Sequence, residues 1–386
     1  MKIKILHTAD NHLDPRIPMY QPKLMERRMD FWRAFRHVLD YAIKNKPDIF
    51  IISGDLYDRV NPRNPPRVQI VKYFRRLYNE GVRIFLIGGH HDTPRSEEEG
   101  ASPLEELAAT GYVTFFGSSK KFSCEYVKIG NVNVCVSGIT YNVSLGQGSD
   151  PLSRSKPPTD GDVNIVMLHY SIEGFSSPNI GREPFVKLSS IPREIDYVAA
   201  GHLHRFQEVW RDKTYIAYPG STERRSFAEE GDEEKGFLWV EIDSKGLKRR
   251  FLNVPTRPMK TLKYMVSKDS KSPTSEIVSY ALKHRNKELI LRLKIGGVLP
   301  LQALSKYRRD DILRSLMDHF FIVLIDDTEL ACLEEKIAPL PRLSPIEAYK
   351  QYMDRLAENV KDGERRKIIE LAKEIGLQKL EEAEAW

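Results

Sequence analysis

Cysteine and long hydrophobic runs are scarce in this 386-residue chain. The cysteines are Cys124, Cys135 and Cys332. Their odd number and wide spacing argue against a disulfide framework or a thiolate metal site and favour a reducing compartment. No apolar stretch approaches the ~18 residues that a membrane span needs, and Met1–Asn11 lacks the apolar region and cleavage site of a signal peptide. We therefore expect a soluble intracellular protein.

A strong excess of either charge is also missing. Sixty Lys and Arg residues against fifty-four Asp and Glu leave a net charge of +6, which allows a nucleic-acid partner but does not indicate one. Apolar residues make up 41% of the chain, enough for a sizeable core, which argues against global disorder. The length suggests two or three domains, at ~100–200 residues per domain.

Short apolar runs alternate with helical stretches up to about Arg257. A helix is predicted between the first two runs, because Phe31, Phe35 and Val38 recur at helical spacing. Strand–helix alternation predicts a layered α/β domain, and the turn-like composition of Ser144–Asp162 predicts a mobile loop or insertion. Five runs are typical of buried strands: Ile3–Leu6, Ile49–Ile52, Ile84–Ile87, Ile165–Leu168 and Tyr197–Ala200.

The rest of the chain predicts a small α+β unit and a helical tail. From about Met259 to Cys332, strands are predicted at Leu289–Ile295 and Phe320–Ile325, with helical segments between them. Three prolines then mark a linker. Beyond it, two short amphipathic helices are predicted, which either pack on their own domain or dock a partner.

Polar residues with metal-binding chemistry follow the predicted strands. Six of the ten histidines come directly after one of them, and the loops at strand ends of α/β sheets converge on one crevice. Imidazole and carboxylate ligands together suit zinc, iron or manganese better than calcium. The number of ligands predicts a site that holds two metals. The segments are Asp10–His12, Gly54–Asp55, Gly89–Asp92, His169 and Gly201–His204.

The order of these motifs resembles that of a known family. Asp-x-His, Gly-Asp, Gly-Asn-His-Asp/Glu, His and Gly-His-x-His together mark the calcineurin-like metallophosphoesterases. The chain resembles in particular the SbcD-type double-strand-break repair nucleases, called the meiotic-recombination-eleven family in archaea and eukaryotes. The resemblance covers roughly residues 1–258. It is carried by His7–Leu13, Ser53–Asp58, Asp196–His204, Tyr218–Arg224 and Glu234–Phe237.

This resemblance implies an architecture for the whole chain. A two-layered β-sandwich flanked by helices is expected, followed by a small α+β capping domain and a C-terminal helical tail. The implied divisions are a metallophosphoesterase (nuclease) domain at 1–258, a DNA-capping domain at 259–332, a linker at 333–345 and a helical partner-docking region at 346–386.

The resemblance also implies an activity and partners. The protein would be a DNA nuclease that uses two manganese ions, with magnesium as the alternative in cells, and that acts as a duplex exonuclease and a single-strand and hairpin endonuclease. It would form a homodimer through the helices around Val68–Leu77 and Pro103–Ala109 and work on DNA ends in the nucleoid-associated cytoplasm. An ABC-type coiled-coil ATPase would bind the tail, since this chain has no P-loop of its own.

Site residues carry over by position. His91 would be the catalytic histidine near the scissile phosphate, and Asp55 would bridge the two metals. The first metal would be held by Asp10, His12, Asp55 and His204. The second would be held by Asp55, His169, His202 and the residue at position 90, which is His90.

Position 90 departs from the family pattern. Where the family has Gly-Asn-His, this chain has Gly89-His90-His91, so an imidazole nitrogen replaces a neutral amide oxygen. The His90 imidazole then ligates the second metal, shifts that metal or swings away from it. Asp58 is expected to orient a ligand histidine from outside the metal shell, with an exposed turn aspartate as the alternative.

Contacts to DNA are expected from basic residues near the motifs. The candidates are Arg63, Arg67, Arg224 and Arg225, which would contact backbone phosphates without reading sequence. The alternative interpretation is that these arginines belong to a solvated charged surface.

Two rival functions stay open. One is a phosphomonoesterase or phosphodiesterase for small substrates on the same fold. The other is a DNA-end-binding scaffold whose catalysis is weakened by His90.

Overall fold

Two six-stranded sheets form the larger part of the molecule. A computed structural model describes residues 2–176, 182–231, 234–332, 344–358, 360 and 362–382. The first sheet has the order β14-β13-β1-β2-β3-β4 and the second β11-β12-β10-β7-β6-β5. The strands of the first are β1 (Lys2–Thr8), β2 (Ile49–Ser53), β3 (Arg83–Ile87), β4 (Thr114–Phe115), β13 (Gly236–Asp243) and β14 (Gly246–Asn253). Those of the second are β5 (Ser123–Ile129), β6 (Val132–Gly138), β7 (Val163–His169), β10 (Tyr197–Gly201), β11 (Gln207–Arg211) and β12 (Thr214–Tyr218).

The sheets pack face to face, because alternate residues of their strands are apolar on both sides. Ile5 of β1 and Ile165 of β7 belong to the core between the sheets. Leu6, the next residue of β1, faces the opposite way and packs with the helices that cover the first sheet. This double burial explains why the central strands β1, β2, β3, β7 and β10 appear in the sequence as continuous apolar runs. The predicted two-layered sandwich flanked by helices is confirmed.

Helices cover the outer face of the first sheet and build the C-terminal units. In α1, Phe31, Phe35, Val38 and Ala42 are buried, as their spacing predicts. The helices are α1 (Leu24–Asn45), α2 (Asn64–Asn79), α3 (Pro103–Ala109), α4 (Pro273–Leu282), α5 (Leu301–Leu304), α6 (Arg309–Leu316), α7 (Pro345–Glu358) and α8 (Gly363–Glu382). None of the helices in the described ranges is long and apolar enough to cross a membrane.

The segment Ser144–Asp162 is irregular, but it is packed against the second sheet. Leu152 is fully buried in the apolar cluster on the outer face of that sheet. The Asp150 carboxylate accepts hydrogen bonds from the Leu152 amide at 2.8 Å and the Ser190 hydroxyl at 2.5 Å. A short two-stranded ladder, β8 (Ser171–Ile172) with β9 (Phe185–Val186), lies beside it. The turn composition predicted the lack of regular structure but not this anchoring.

A three-stranded parallel sheet forms a smaller unit after β14. Its order is β15-β16-β17, with β15 at Met259–Val266, β16 at Asn286–Leu299 and β17 at Phe320–Cys332. The alternation in β16 buries Leu291, Leu293 and Ile295 against α4 and α6. Strand β15 has no counterpart in the sequence-based prediction. The division into domains stays a prediction.

Helices α7 and α8 pack against each other at the end of the chain. The Tyr349 hydroxyl donates a hydrogen bond to the Ala372 carbonyl at 3.0 Å. Ile368, Leu371 and Ile375 of α8 are each more than half exposed. Most of the predicted linker, residues 333–343, lies outside the described residues. All three cysteines are free thiols.

Candidate metal centre

The carboxyl ends of strands from both sheets meet at one edge of the sandwich. The loops after β1, β2 and β3 come from the first sheet, and those after β7 and β10 from the second. Backbone hydrogen bonds tie the first two loops together, from the Asp10 amide to the Gly54 carbonyl at 3.1 Å and from the His12 amide to the Asp55 carbonyl at 3.0 Å. All seven predicted metal ligands and His91 lie at this edge, within clusters of at least three potential ligands.

Four of these candidate ligands have a strained backbone. Asp10, His12, Asp55 and His202 have φ angles of 51°, 45°, 52° and 101°, in the left-handed region that residues with a side chain seldom adopt. Such conformations cost energy and persist where the surrounding structure enforces them, often at functional sites. The fold thus holds these side chains in an orientation that the local sequence alone disfavours.

Glycine is required at two positions beside the ligands. Gly54 has a φ of 87°, and a Cβ atom there would lie 2.3 Å from Nδ1 of His169. A Cβ atom at Gly89 would lie 2.1 Å from the Asp55 carboxylate. The glycines of the Gly-Asp and Gly-His-His motifs therefore make room for the ligands of the adjacent loops.

The first cluster combines two histidines and two carboxylates. Nε2 of His12 and Nε2 of His204 are 3.0 Å apart, although the residues are separated by 192 positions in sequence. The Asp10 carboxylate lies 3.9 Å from His204 Nε2, and the Asp55 carboxylate lies 3.8 Å from His12 Nε2. One ligand atom from each of Asp10, His12 and His204 fits within 4.8 Å of the others.

Carboxylates behind the two histidines determine which nitrogen faces the cluster. His204 Nδ1 lies 3.0 Å from Glu229, and His12 Nδ1 lies 3.3 Å from Asp58. Each carboxylate favours a proton on Nδ1, which leaves the lone pairs of both Nε2 atoms facing each other. Burial by itself raises the pKa of Asp58, but His12 and Arg225 outweigh it and hold this pKa well below its usual value. Two such lone pairs at 3.0 Å would repel each other unless a proton or a metal ion lay between them, so this arrangement fits a cation.

The second cluster contains three histidines. Nδ1 of His90 lies 3.2 Å from Nε2 of His169 and 3.0 Å from Oδ2 of Asp55. His169 Nε2 also lies 3.3 Å from that oxygen. Ligand atoms of His90, His169 and His202 lie within 4.8 Å of one another. His202 Nδ1 is buried without a hydrogen-bond partner.

Asp55 lies between the clusters. Its Oδ1 accepts the His91 amide at 2.8 Å, whereas Oδ2 is buried and makes no hydrogen bond. Burial raises the pKa of Asp55, but His90 and His169 outweigh it and lower this pKa well below the usual value. Burial likewise lowers the pKa of His169, yet Asp55 and Asp10 raise it to about 9. The centre therefore favours added positive charge, which a shared metal pair would supply.

His91 lies at the opening, beside the first cluster. Its Nδ1 donates to the Asp58 carbonyl at 3.0 Å, and its ring packs edge-on against His12 with centroids 4.8 Å apart. Burial and the neighbouring His12 lower the pKa of His91 to about 3. Its neutral ring therefore presents Nε2 as an acceptor.

The Asp92 carboxylate holds the loop that carries His90 and His91. It accepts hydrogen bonds from the amides of Gly89 at 2.8 Å and Leu56 at 2.9 Å. Burial and the nearby Asp55 charge raise the pKa of Asp92 to about 7.

The four candidate arginines have different environments. Arg225 pairs with Asp58 at 2.7 Å and lies next to the centre. Arg63 pairs with Asp14 at 2.7 Å, and Arg67 pairs with Glu106.

Arg224 does not lie on an exposed surface. It is buried, and its guanidinium donates to the Glu229 carbonyl at 3.2 Å and to Thr256 at 2.5 Å. This placement leaves little of the side chain exposed to a phosphate, and the predicted phosphate contact of Arg224 stays a prediction.

Two carboxylates at the site were missed by the sequence-based prediction. Glu229 lies behind His204, and Glu183 lies 3.1 Å from Nε2 of His202. Glu229 ends a 3-10 turn (Phe227–Glu229), and Glu183 lies two residues before the short strand β9. Neither belongs to a His or Asp motif that follows a predicted strand, so the sequence did not single them out.

The fold and the paired clusters define a class of protein. Residues 3–206 match the sequence model of the calcineurin-like phosphoesterases, and the chain belongs to this family. It is accordingly a hydrolase acting on phosphoesters, of a family that uses a dinuclear metal site, and the two clusters supply candidate ligands for that site.

Within this class the chain is similar to particular repair proteins. It is 27% identical over 325 residues to the DNA double-strand break repair protein Mre11 of Sulfolobus acidocaldarius, covering 83% of this chain and 82% of that protein. It is 31% identical over 225 residues to Mre11 of Thermoplasma acidophilum, covering 57% of this chain and 56% of that protein. It is also 27% identical over 255 residues to the uncharacterized metallophosphoesterase YhaO of Bacillus subtilis, covering 64% of this chain and 60% of YhaO.

Proposed function

We propose that the protein is a two-metal DNA nuclease that processes DNA ends in double-strand-break repair. The observation that carries the proposal is the pair of clusters sharing Asp55, with His91 at their opening. The names of the archaeal relatives support DNA as the substrate. The expected activities are duplex exonuclease and single-strand or hairpin endonuclease.

We assign the ligands by cluster. The first metal would be held by Asp10, His12, Asp55 and His204. The second would be held by Asp55, His90, His169 and His202. Manganese, with magnesium as the alternative, is the proposed cofactor, and a bound pair would polarise the phosphodiester and lower the pKa of a water molecule.

His91 is proposed to move a proton at the scissile bond. Its Nδ1 is engaged by the Asp58 carbonyl, so Nε2 is the atom that faces substrate. Through Nε2 the neutral ring can accept a proton from the attacking water, and the imidazolium can donate one to the leaving oxygen. Asp58 is proposed to orient His12 at the same time.

DNA would contact the protein through exposed basic residues. Arg225 adjoins the centre, and its side chain is 31% exposed. Arg63 and Arg67, also partly exposed, lie at the start of α2. Contacts of this kind neutralise phosphates and weaken with salt. The unit at 259–332 is proposed to cap the DNA over the nuclease domain at 1–258.

Two protein partners belong to the proposal. A second copy would associate through α2 and α3, where Val68 is 50% exposed. The region 346–386, connected through the linker at 333–345, would bind a coiled-coil ATPase. The exposed apolar residues Ile368, Leu371 and Ile375 of α8 support a docking face.

The test is cleavage of end-labelled duplex and hairpin DNA with manganese by the parent chain and by His91→Ala. Loss of general acid catalysis is expected to lower the rate by about 10²–10⁴-fold. The matched control is His37→Ala, which removes an exposed histidine of α1 and should leave the rate unchanged.

Other outcomes identify the rival functions. Cleavage of a chromogenic bis-ester with intact DNA would indicate a small-molecule phosphodiesterase and overturn the proposal. DNA binding without cleavage, with activity gained in His90→Asn, would indicate a scaffold weakened at position 90.

A further inference from the structure

The two clusters of the metal centre have different ligand chemistry. The first offers two nitrogens, from His12 and His204, and oxygens from Asp10 and Asp55. The second offers three nitrogens and shares the Asp55 oxygen. The difference arises at His90, because an asparagine there would make both sets two nitrogens and two oxygens.

His90 is oriented as a ligand. Its Nδ1 points at the centre, 3.0 Å from the Asp55 oxygen that lacks any hydrogen bond and 3.2 Å from His169 Nε2. The side chain is 27% exposed, so it reaches inward from the opening. It therefore faces the second position directly.

In their neutral forms, the other two imidazoles of the second cluster also direct a nitrogen lone pair at the centre. His169 Nδ1 donates to the Ser53 carbonyl at 2.7 Å, which leaves its Nε2 unprotonated in the neutral ring. His202 Nε2 lies 3.1 Å from the Glu183 carboxylate, which favours a proton there. Its Nδ1 is then the free acceptor, buried and without a partner. Two of the three rings are thus fixed in the tautomer that binds a metal.

We infer that His90 makes the two metal positions unequal, so that the second position prefers a nitrogen-seeking divalent ion such as zinc over manganese. The inference deepens the proposed two-metal function and rests on it. The first position keeps the mixed set that suits manganese, so the favoured loading is one ion of each kind.

The physical reason is the match between ligand and ion. Imidazole suits zinc, iron and nickel, whereas carboxylate, carbonyl and water oxygens suit manganese and magnesium. Zinc binds more tightly than manganese to most sites, so the informative quantity is where a limited amount of zinc goes. Three nitrogen ligands direct this zinc to the second position. Two positions with equal ligand sets would not direct it to either one.

The experiment loads the full-length, metal-free protein with one equivalent each of zinc and manganese. Native mass spectrometry counts the ions, and electron paramagnetic resonance separates an isolated manganese ion from a coupled pair. The parent is expected to hold one of each ion and to show isolated manganese. His90→Asn is expected to give a mixture of pairs, with a zinc preference at the second position lowered by about tenfold or more.

Two variants control the assignment. His37→Asn removes an exposed imidazole from α1 and should match the parent. Asp10→Asn removes a carboxylate that is assigned to the first position, although it lies 3.9 Å from both His204 Nε2 and His169 Nε2. It should weaken manganese binding while zinc remains at the second position.

Every other outcome overturns the inference. If the parent distributes the ions as His90→Asn does, His90 does not discriminate. If the parent binds one metal in total and His90→Asn binds two, His90 obstructs the second position. Metal loading is measured without DNA, so selective loading without DNA cleavage would refute only the proposed function. Cleavage with unselective loading would refute only this inference.

Discussion

Glu229 is a buried carboxylate that we expect to serve both folding and metal binding. Its Oε1 accepts hydrogen bonds from His204 Nδ1 and the Arg225 amide, each at 3.0 Å. Its Oε2 accepts from Lys235 Nζ at 2.6 Å and the Ser221 hydroxyl at 2.9 Å. The change Glu229→Gln keeps the shape but removes the charge and turns one acceptor into a donor.

The size of each effect follows from the contacts of Glu229. Lys235 is only 2% exposed, and leaving a buried ammonium unpaired costs about 3–5 kcal/mol. Lys235 keeps a second hydrogen bond, to the His204 carbonyl at 2.8 Å, so the expected loss of stability lies near the lower of these two values. Releasing the orientation of His204 should lower metal affinity at the first position by about 10–100-fold.

A double variant separates the two roles. Glu229→Gln with Lys235→Met removes both charges, so the metal-free protein should regain stability to within about 1 kcal/mol of the parent. His204 still lacks its carboxylate, so metal affinity should stay low. Glu241→Gln is the matched control, since it removes a partly exposed partner of Lys2 and should cost less than about 1 kcal/mol.

The assays are urea unfolding with a chelator present and calorimetric titration of the metal-free protein. Unchanged stability and unchanged affinity in Glu229→Gln would refute the reasoning entirely. Recovery of metal affinity in the double variant would show that the single change acts through folding alone.

Two further changes test the packing around the centre. Gly54→Ala should lose stability and second-site metal because the new Cβ meets His169. Gly81 has a φ of 85°, and no atom lies near a Cβ added there. Gly81→Ala should therefore lose only about 1 kcal/mol of stability in thermal melts, from backbone strain. Equal losses of stability in the two variants would contradict the steric argument. Burial lowers the pKa of His7 to about 3, against 6.5 for the free group, so between these values the unfolded state binds more protons and stability falls as pH falls. From pH 7 to 5 this contributes about 2 kcal/mol. In urea titrations at both pH values His7→Gln should lack this contribution, and an undiminished pH dependence would count against it.

Much of the fold was predictable because its signals are local. Buried strands such as Ile49–Ser53 are continuous apolar runs, and the spacing of Phe31 and Phe35 indicates the buried face of α1. The sandwich itself was expected from the family resemblance. Strands β5, β6 and β11 to β15 were missed. In β15 the partly exposed residues explain why, since its buried positions are separated irregularly.

Composition failed where burial depends on distant neighbours. Arg224 belongs to a polar loop, yet it is enclosed and bonded to Thr256. Leu152 lies in a stretch of turn residues, yet it is fully buried against the second sheet. The flanking residues do not predict the burial of either side chain, because the residues that cover them come from other parts of the chain.

The sequence by itself determined the ligand types and their positions after strands, since apolar runs and His–Asp motifs are properties of adjacent residues. Only the tertiary structure decided that His12 meets His204 across 192 positions. It also decided that Glu229 and Glu183 stand behind the ligand histidines. How the two sheets pack decides how far apart remote residues lie and which nitrogen of each ring carries the proton. No local pattern encodes that packing.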